Sequence, residues 1–233
     1  IISMNCWGDG DYKMRYHNSF YGCTNFDVTA FDSPTVEGID INSTFRGCTS
    51  LKAYSDRMDN WDVSSAQNMS RMFQDCNAFN GDIGSWDTGS ATNFYYLFKG
   101  CTVFNQNIGG WDTADVTEFS YIFASTDAFN NGGSGDIDDW DVSSVTNMNE
   151  SFSYAKGFNQ DLNSWDVSNV TNMNYIFNRA DLFNGNINSW DTGNVTTFVS
   201  AFQNAYAFAG DLSGWDMSSV TTVNLMFHNV DLI

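Results

Sequence analysis

The sequence predicts a repeat solenoid, a stack of about 25-residue coils that each hold a short β-strand and a short helical or 3-10 turn. Three observations predict it. Trp-Asp recurs at Trp61, Trp86, Trp111, Trp140, Trp165, Trp190 and Trp215, with gaps of 25, 25, 29, 25, 25 and 25 residues. The apolar residues between these dipeptides repeat at the same offsets, and no single copy is long enough to bury them alone. The chain is 42% hydrophobic with 20 Phe, 10 Tyr and 8 Trp, which suffices for a large core and excludes intrinsic disorder.

From the N-terminus, residues 1–30 fit the pattern only in part. Phe20-Tyr21-Gly22-Cys23 resembles Phe45-Arg46-Gly47-Cys48, but no Trp-Asp precedes it at the right offset. We read 1–30 as an atypical first coil or cap and 31–233 as one continuous repeat domain, in which Phe31-Asp32 is a degenerate copy of Trp-Asp. The best-formed copy runs Trp165-Asp166-Val167-Ser168-Asn169-Val170-Thr171-Asn172-Met173, then Phe177, Ala180, Phe183-Asn184 and Ile187. The long gap comes from Asn131–Gly135, a Gly- and Ser-rich insertion that leaves the apolar offsets intact. A second excess lies at Lys52–Met58.

Stacked copies turn each offset into a file along the long axis. Phe73, Phe98, Phe123, Phe152, Phe177, Phe202 and Phe227 form one, and Phe79, Phe104, Phe129, Phe158, Phe183 and Phe208 another. Coils about 4.8 Å apart give a body on the order of 35 Å long. The apolar I/L-x-x-W-D stretch, flanked by Gly, Ser and Asn, predicts the short strand. Ser or Thr ahead of V-T-N-M-x-x-x-F predicts the helical turn. That content at this period lies in the 20–29-residue leucine-rich-repeat range, so the fold class is leucine-rich-repeat-like.

The full unit, F-x-x-C/A-x-x-F-N-x-D-I/L-x-x-W-D-V-S-x-V-T-N-M, resembles the BspA-like leucine-rich repeats of bacterial, mycoplasma and protist surface proteins and lipoproteins. Residues 61–230 match well and 31–60 loosely, with Phe94, Phe119 and Phe198 in place of Met. The resemblance implies an extracellular or cell-surface module for adhesion, scaffolding or partner binding, and no shared active site.

Asp62, Asp87, Asp112, Asp141, Asp166, Asp191 and Asp216 pose the main chemical question. Carboxylates 4.8 Å apart repel by about 0.9 kcal/mol in water and about 3.5 kcal/mol at an effective dielectric of 20. Either each accepts N–H bonds from the D-x-S/T/G turn that follows it, or hard cations such as Ca²⁺ bridge the file. Asn80, Asn105, Asn130, Asn159 and Asn184 read as an internal ladder that bonds loop backbone. Cys23, Cys48, Cys76 and Cys101 share one offset with Thr126, Ala155, Ala180 and Ala205, which calls for a small buried side chain. Cys6 with Cys23 is the disulfide candidate, a staple for the cap. N-x-S/T glycosylation signals stand at Asn42, Asn68, Asn149, Asn169 and Asn194.

Several function classes drop out. His17 and His228 are the two histidines and lie at opposite ends of the chain, so no His-centred triad or zinc site can form. The formal charge of −19 repels phosphate backbones, and no apolar run approaches the roughly 20 residues of a membrane span. No enzyme and no cofactor are expected beyond the Ca²⁺ alternative. The expected partners are other protein subunits, or cell-surface protein or glycan. The start at Ile1 suggests a processed or excerpted product, and the C-terminal end carries no recognisable cap, which would suit homo- or hetero-assembly through the ends into a filament or array. A glycan- or ice-binding surface on the Thr92, Thr117, Thr146, Thr171, Thr196 and Thr221 file is the remaining alternative.

Overall fold

The computed structural model describes residues 2–4, 13–14, 17–29, 35–36, 40–53 and 57–230. Equivalent positions of successive copies lie side by side. Single-residue parallel bridges join Asp40 to Asn68, Asn68 to Asn93, Asn93 to Glu118, Glu118 to Asn147, Asn147 to Asn172, Asn172 to Thr197 and Thr197 to Thr222.

The eight residues that follow each bridge are neither helix nor strand, and their hydrogen bonds explain why. The N–H groups of Met173, Tyr175, Phe177 and Arg179 donate to the carbonyls of Thr197, Val199, Ala201 and Gln203 in the next copy, at 3.2, 2.8, 2.8 and 2.9 Å. Those between, of Ile176, Asn178 and Ala180, close local turns onto Met173, Tyr175 and Phe177 at 3.4, 3.1 and 3.1 Å. Tyr175 and Arg179 both sit at a left-handed φ of 55°, which turns the chain back at each and aims alternate amides at the neighbour. We call this run the ladder segment. It satisfies its polar backbone without regular secondary structure.

Two local expectations therefore fail. A continuous helical or 3-10 turn at V-T-N-M-x-x-x-F does not form, because alternate N–H groups cross to the next copy and those between close separate turns three residues back. The strand at I/L-x-x-W-D does not form either. Trp190 N–H closes a turn onto the Ile187 carbonyl at 3.3 Å, and the parallel bridge falls on Asn172. Among the described residues the helices are two 3-10 turns, Asn131–Gly133 and Gly135–Asp139, both at the insertion.

Side chains fill the interior in continuous files. Phe45, Phe73, Phe98, Phe123, Phe152, Phe177, Phe202 and Phe227 follow one another with ring centroids 5.4–5.8 Å apart. The Phe79 to Phe208 file repeats at 5.6–6.0 Å. Trp rings stack in the five pairs 61/86, 86/111, 111/140, 140/165 and 190/215, at 5.9–6.4 Å and within 15° of parallel. From Trp86 onward the indoles also donate to the preceding copy, Trp86 to the Met58 carbonyl at 2.7 Å, Trp111 to Ile83 at 3.0 Å and Trp165 to Ile137 at 2.9 Å. Trp61 donates to the Arg57 carbonyl at 3.1 Å. Each fully buried apolar side chain contributes roughly 1.5–3 kcal/mol.

The insertion leaves these files undisturbed. Asn131 is fully buried, accepts the Ile108 N–H at 2.9 Å, and donates to the Ser134 carbonyl at 3.1 Å and Asp136 Oδ1 at 2.6 Å. The extra residues bulge outward around that anchor. At the N-terminal side, Asn18, Phe20 and Gly22 donate to the carbonyls of Asn42, Thr44 and Arg46, so residues 18–22 make the same ladder as later copies. Two short parallel pairs complete the description, β1 (Ile2–Met4) with β3 (Phe26–Val28) and β2 (Lys13–Met14) with β4 (Thr35–Val36).

Candidate binding surface

The exterior has two sides of different chemistry. On the turn side the seven Trp-Asp carboxylates are exposed, and each closes its own turn. Oδ1 of Asp62, Asp87, Asp112, Asp141, Asp166, Asp191 and Asp216 accepts the N–H of the residue two positions on, at 2.8–3.2 Å. The Ser143 hydroxyl and N–H hold the Asp141 carboxyl below its usual range, and those of Ser168 do the same for Asp166. Among the described residues, no group of three or more His, Cys, Asp or Glu side chains converges as a metal site.

The Asn file forms a side-chain ladder. Asn80 Oδ1 accepts the Asn105 N–H at 2.8 Å, and the relay runs through Asn130, Asn159 and Asn184 to the N–H of Ala209. Each Thr of the exposed Thr117, Thr171, Thr196 and Thr221 set donates its hydroxyl to the preceding Thr carbonyl at 3.0–3.3 Å, so those hydrogens are committed to backbone.

The thiols are interior groups. Cys48, Cys76 and Cys101 donate to the carbonyls of Phe20, Phe45 and Phe73 at 2.9–3.0 Å. Burial raises all three above the ordinary thiol value of 9.0, Cys48 to about 12. Cys23 is exposed, and Cys6 lies outside the described residues. Of the glycosylation candidates, Asn169 and Asn194 are exposed, with Nδ2 donating to the carbonyls of Ser143 and Ser168 at 2.8 and 2.7 Å. Asn42, Asn68 and Asn149 are half-buried. Asn42 Nδ2 donates to Asp40 Oδ1 at 2.7 Å.

The ladder side carries what the repeat pattern left unassigned. Tyr96 and Tyr121, one copy apart, stack with centroids 4.2 Å apart, and Tyr95 meets Tyr96 edge-on at 4.3 Å. The Arg71 guanidinium lies over Tyr95 at 4.7 Å and over Tyr96 at 5.4 Å, with Lys99 over Tyr96 at 5.3 Å. Arg46 covers Tyr21 and Arg179 covers Tyr154 in the same manner, at 5.3 and 5.4 Å. Burial, followed by hydrogen bonding with Tyr95 and Tyr121, pushes the Tyr96 phenol up; burial and the Glu150 carboxylate push Tyr121 up. Sequence reasoning passed over this cluster because most of its residues do not recur in every copy. A signal existed, since Arg71, Tyr96, Tyr121 and Tyr175 each stand ten residues after a Trp-Asp tryptophan.

With this geometry in hand, comparison with known proteins gives one result. A family model described as "Mycoplasma protein of unknown function, DUF285" matches residues 14–135 and again 132–233. No curated protein and no solved structure matches the chain.

Proposed function

The chain belongs to the DUF285 family, and we propose that it is a non-catalytic solenoid of the BspA-like leucine-rich-repeat type, displayed outside the cell, that binds a protein partner through its ladder side. The register of successive copies and the unbroken Phe files support the solenoid. The resemblance of the F-N-x-D-I/L-x-x-W-D unit to BspA-like repeats supports the surface location.

One observation carries the binding role. The turn side repeats the same carboxylate and amide in copy after copy, whereas the ladder side gathers Tyr, Arg and Lys that change from copy to copy in all but one file. Tyr and Arg dominate the energetics of protein interfaces because they present large contact area or several donors per side chain. A non-catalytic role is supported by the recurrence of the carboxylates in every copy and by the separation of His17 from His228.

The test has two parts. Antibody against the chain should label intact producing cells as strongly as permeabilised ones. The purified chain should also retain a partner from solubilised surface or matrix proteins, and a Tyr95→Ala/Tyr121→Ala variant should lose it. Labelling confined to permeabilised cells, or retention unchanged in the variant, would overturn the proposal.

A further inference from the structure

We infer that the Arg71–Tyr95–Tyr96–Lys99–Tyr121 cluster, extended by Arg46, is a docking site for an acidic segment of a partner protein. The inference rests on the binding role proposed above and names its address and chemistry.

The first observation is where the cations sit. The chain has 28 acidic and 9 basic side chains, so an unbiased Arg or Lys would find a carboxylate. Among the described residues one ion pair is present, Lys156 with Asp127 at 3.0 Å. Arg46, Arg71 and Lys99 lie instead over tyrosine rings. Acids of the same segments are engaged elsewhere: Asp75 Oδ2 accepts the Gln74 amide at 3.2 Å, Glu118 Oε1 accepts the Ser120 N–H at 2.7 Å, and Glu150 is hydrogen-bonded to Tyr121. The guanidinium of Arg71 is thus held in place by ring faces with no carboxylate on its donors, the state in which it can take one from outside.

The second observation is backbone conformation. Arg71, Tyr96 and Tyr121 have φ of 56°, 60° and 61°, a region that costs an L-residue roughly 1–2 kcal/mol. At the second left-handed position, four residues on, glycine stands at Gly47 and Gly100, and Asp75 and Ser125 stand there in the segments of Arg71 and Tyr121. Folding alone would be served better by Gly or Asn than by Tyr or Arg. The ladder accepts side chains of any size at this position, from Ser200 to Leu225, and on this patch it presents Arg and Tyr.

The third observation selects the occupant. Sugars dock on open aromatic faces, but the faces of Tyr95 and Tyr96 already carry Arg71 and Lys99, and Tyr96 also stacks on Tyr121. The Tyr96 and Tyr121 hydroxyls are engaged with each other and with Tyr95 and Glu150. What remains is ring edges and cationic N–H donors, which suit a peptide with carboxylates and apolar side chains. The overall negative charge does not forbid such a ligand, because at physiological salt its field decays over about 8 Å.

The experiment titrates the whole chain with a labelled poly-glutamate peptide that includes interspersed tyrosines, and separately with a sulfated oligosaccharide of matched charge, at physiological salt. The chain should bind the peptide, and Arg71→Gln/Lys99→Gln should weaken it at least about tenfold while the thermal midpoint stays unchanged. Arg179→Gln, at the separate Arg179–Tyr154 contact, should leave peptide affinity as it was. Absence of peptide binding, preference for the sulfated sugar, or equal loss in Arg179→Gln would overturn the acidic-segment site. If the partner retained from surface proteins still binds Arg71→Gln/Lys99→Gln, this address is wrong and the broader binding role stands.

Discussion

The turn side and the ladder side of this molecule obey opposite rules. On the turn side the repeating carboxylates and amides each have a backbone N–H to hold, as at Asp141, Asp166, Asn159 and Asn184. On the ladder side most of the backbone satisfies itself between copies. One N–H per segment goes to the bridge residue's side chain, as Ser70 to Asn68 and Tyr95 to Asn93, and the side chains beyond it are largely released from that duty. The same period thus produces a side that folding fixes and a side that can vary. Tyr, Arg, Glu, Ser and Leu all occupy the left-handed position of successive ladder segments, at Tyr96, Arg71, Glu150, Ser200 and Leu225.

If that division is right, substitutions should sort by side. The largest effect is expected at Asn131→Ala, which strands the buried Ile108 N–H and removes two further bonds at the insertion. A loss of about 3 kcal/mol in urea unfolding is expected, and a loss under about 1 kcal/mol would show that the insertion is not anchored there. Asn159→Ala on the turn side removes one acceptor, for the Asn184 N–H at 2.8 Å, and should cost about 1 kcal/mol. Ser125→Gly on the ladder side, where φ is 58°, should be neutral or stabilising by up to about 1 kcal/mol, as judged by the same unfolding curves.

Titration should divide in the same way. The Asp141 and Asp166 carboxyls are depressed in the folded chain. Their contribution is therefore complete above the unfolded carboxyl value near 3.9 and is lost as pH falls through the depressed value. Because both are exposed, the effect is small, and Ser143→Ala with Ser168→Ala should flatten the acid limb of a stability–pH profile. Cys48 works in the other direction. Its thiol is raised from 9.0 to about 12, so its contribution is intact below the unfolded value and lost as pH rises through the folded one. Alkylation at mildly alkaline pH should spare Cys48, Cys76 and Cys101 until the chain unfolds.

Much of this was legible in the sequence. The Trp-Asp period, the Phe files, the Asn relay and the small-residue Cys file all follow from identical offsets, since side chains that repeat must meet their own kind. The local backbone was not legible. Met173 and Phe177 stand four apart as they would on a helix, and no propensity reveals that Tyr175 between them turns left-handed. The Tyr–Arg cluster was hidden for the converse reason. Arg71 and Lys99 come from different copies, at offsets where neighbouring copies carry unlike residues, so repetition gives no cue that they meet on Tyr96; the Tyr96–Tyr121 stack alone follows from a shared offset.

The tryptophan pile has an optical consequence. Near-parallel indoles 5.9–6.4 Å apart, as in Trp86/Trp111 and Trp140/Trp165, are coupled chromophores rather than independent ones. Light absorbed by one is shared with its neighbours, and the folded chain should give an exciton couplet in circular dichroism that vanishes on unfolding. Exchanging a middle indole for phenylalanine would split the array into two shorter emitters, so a single interior position can be followed spectroscopically without any added label.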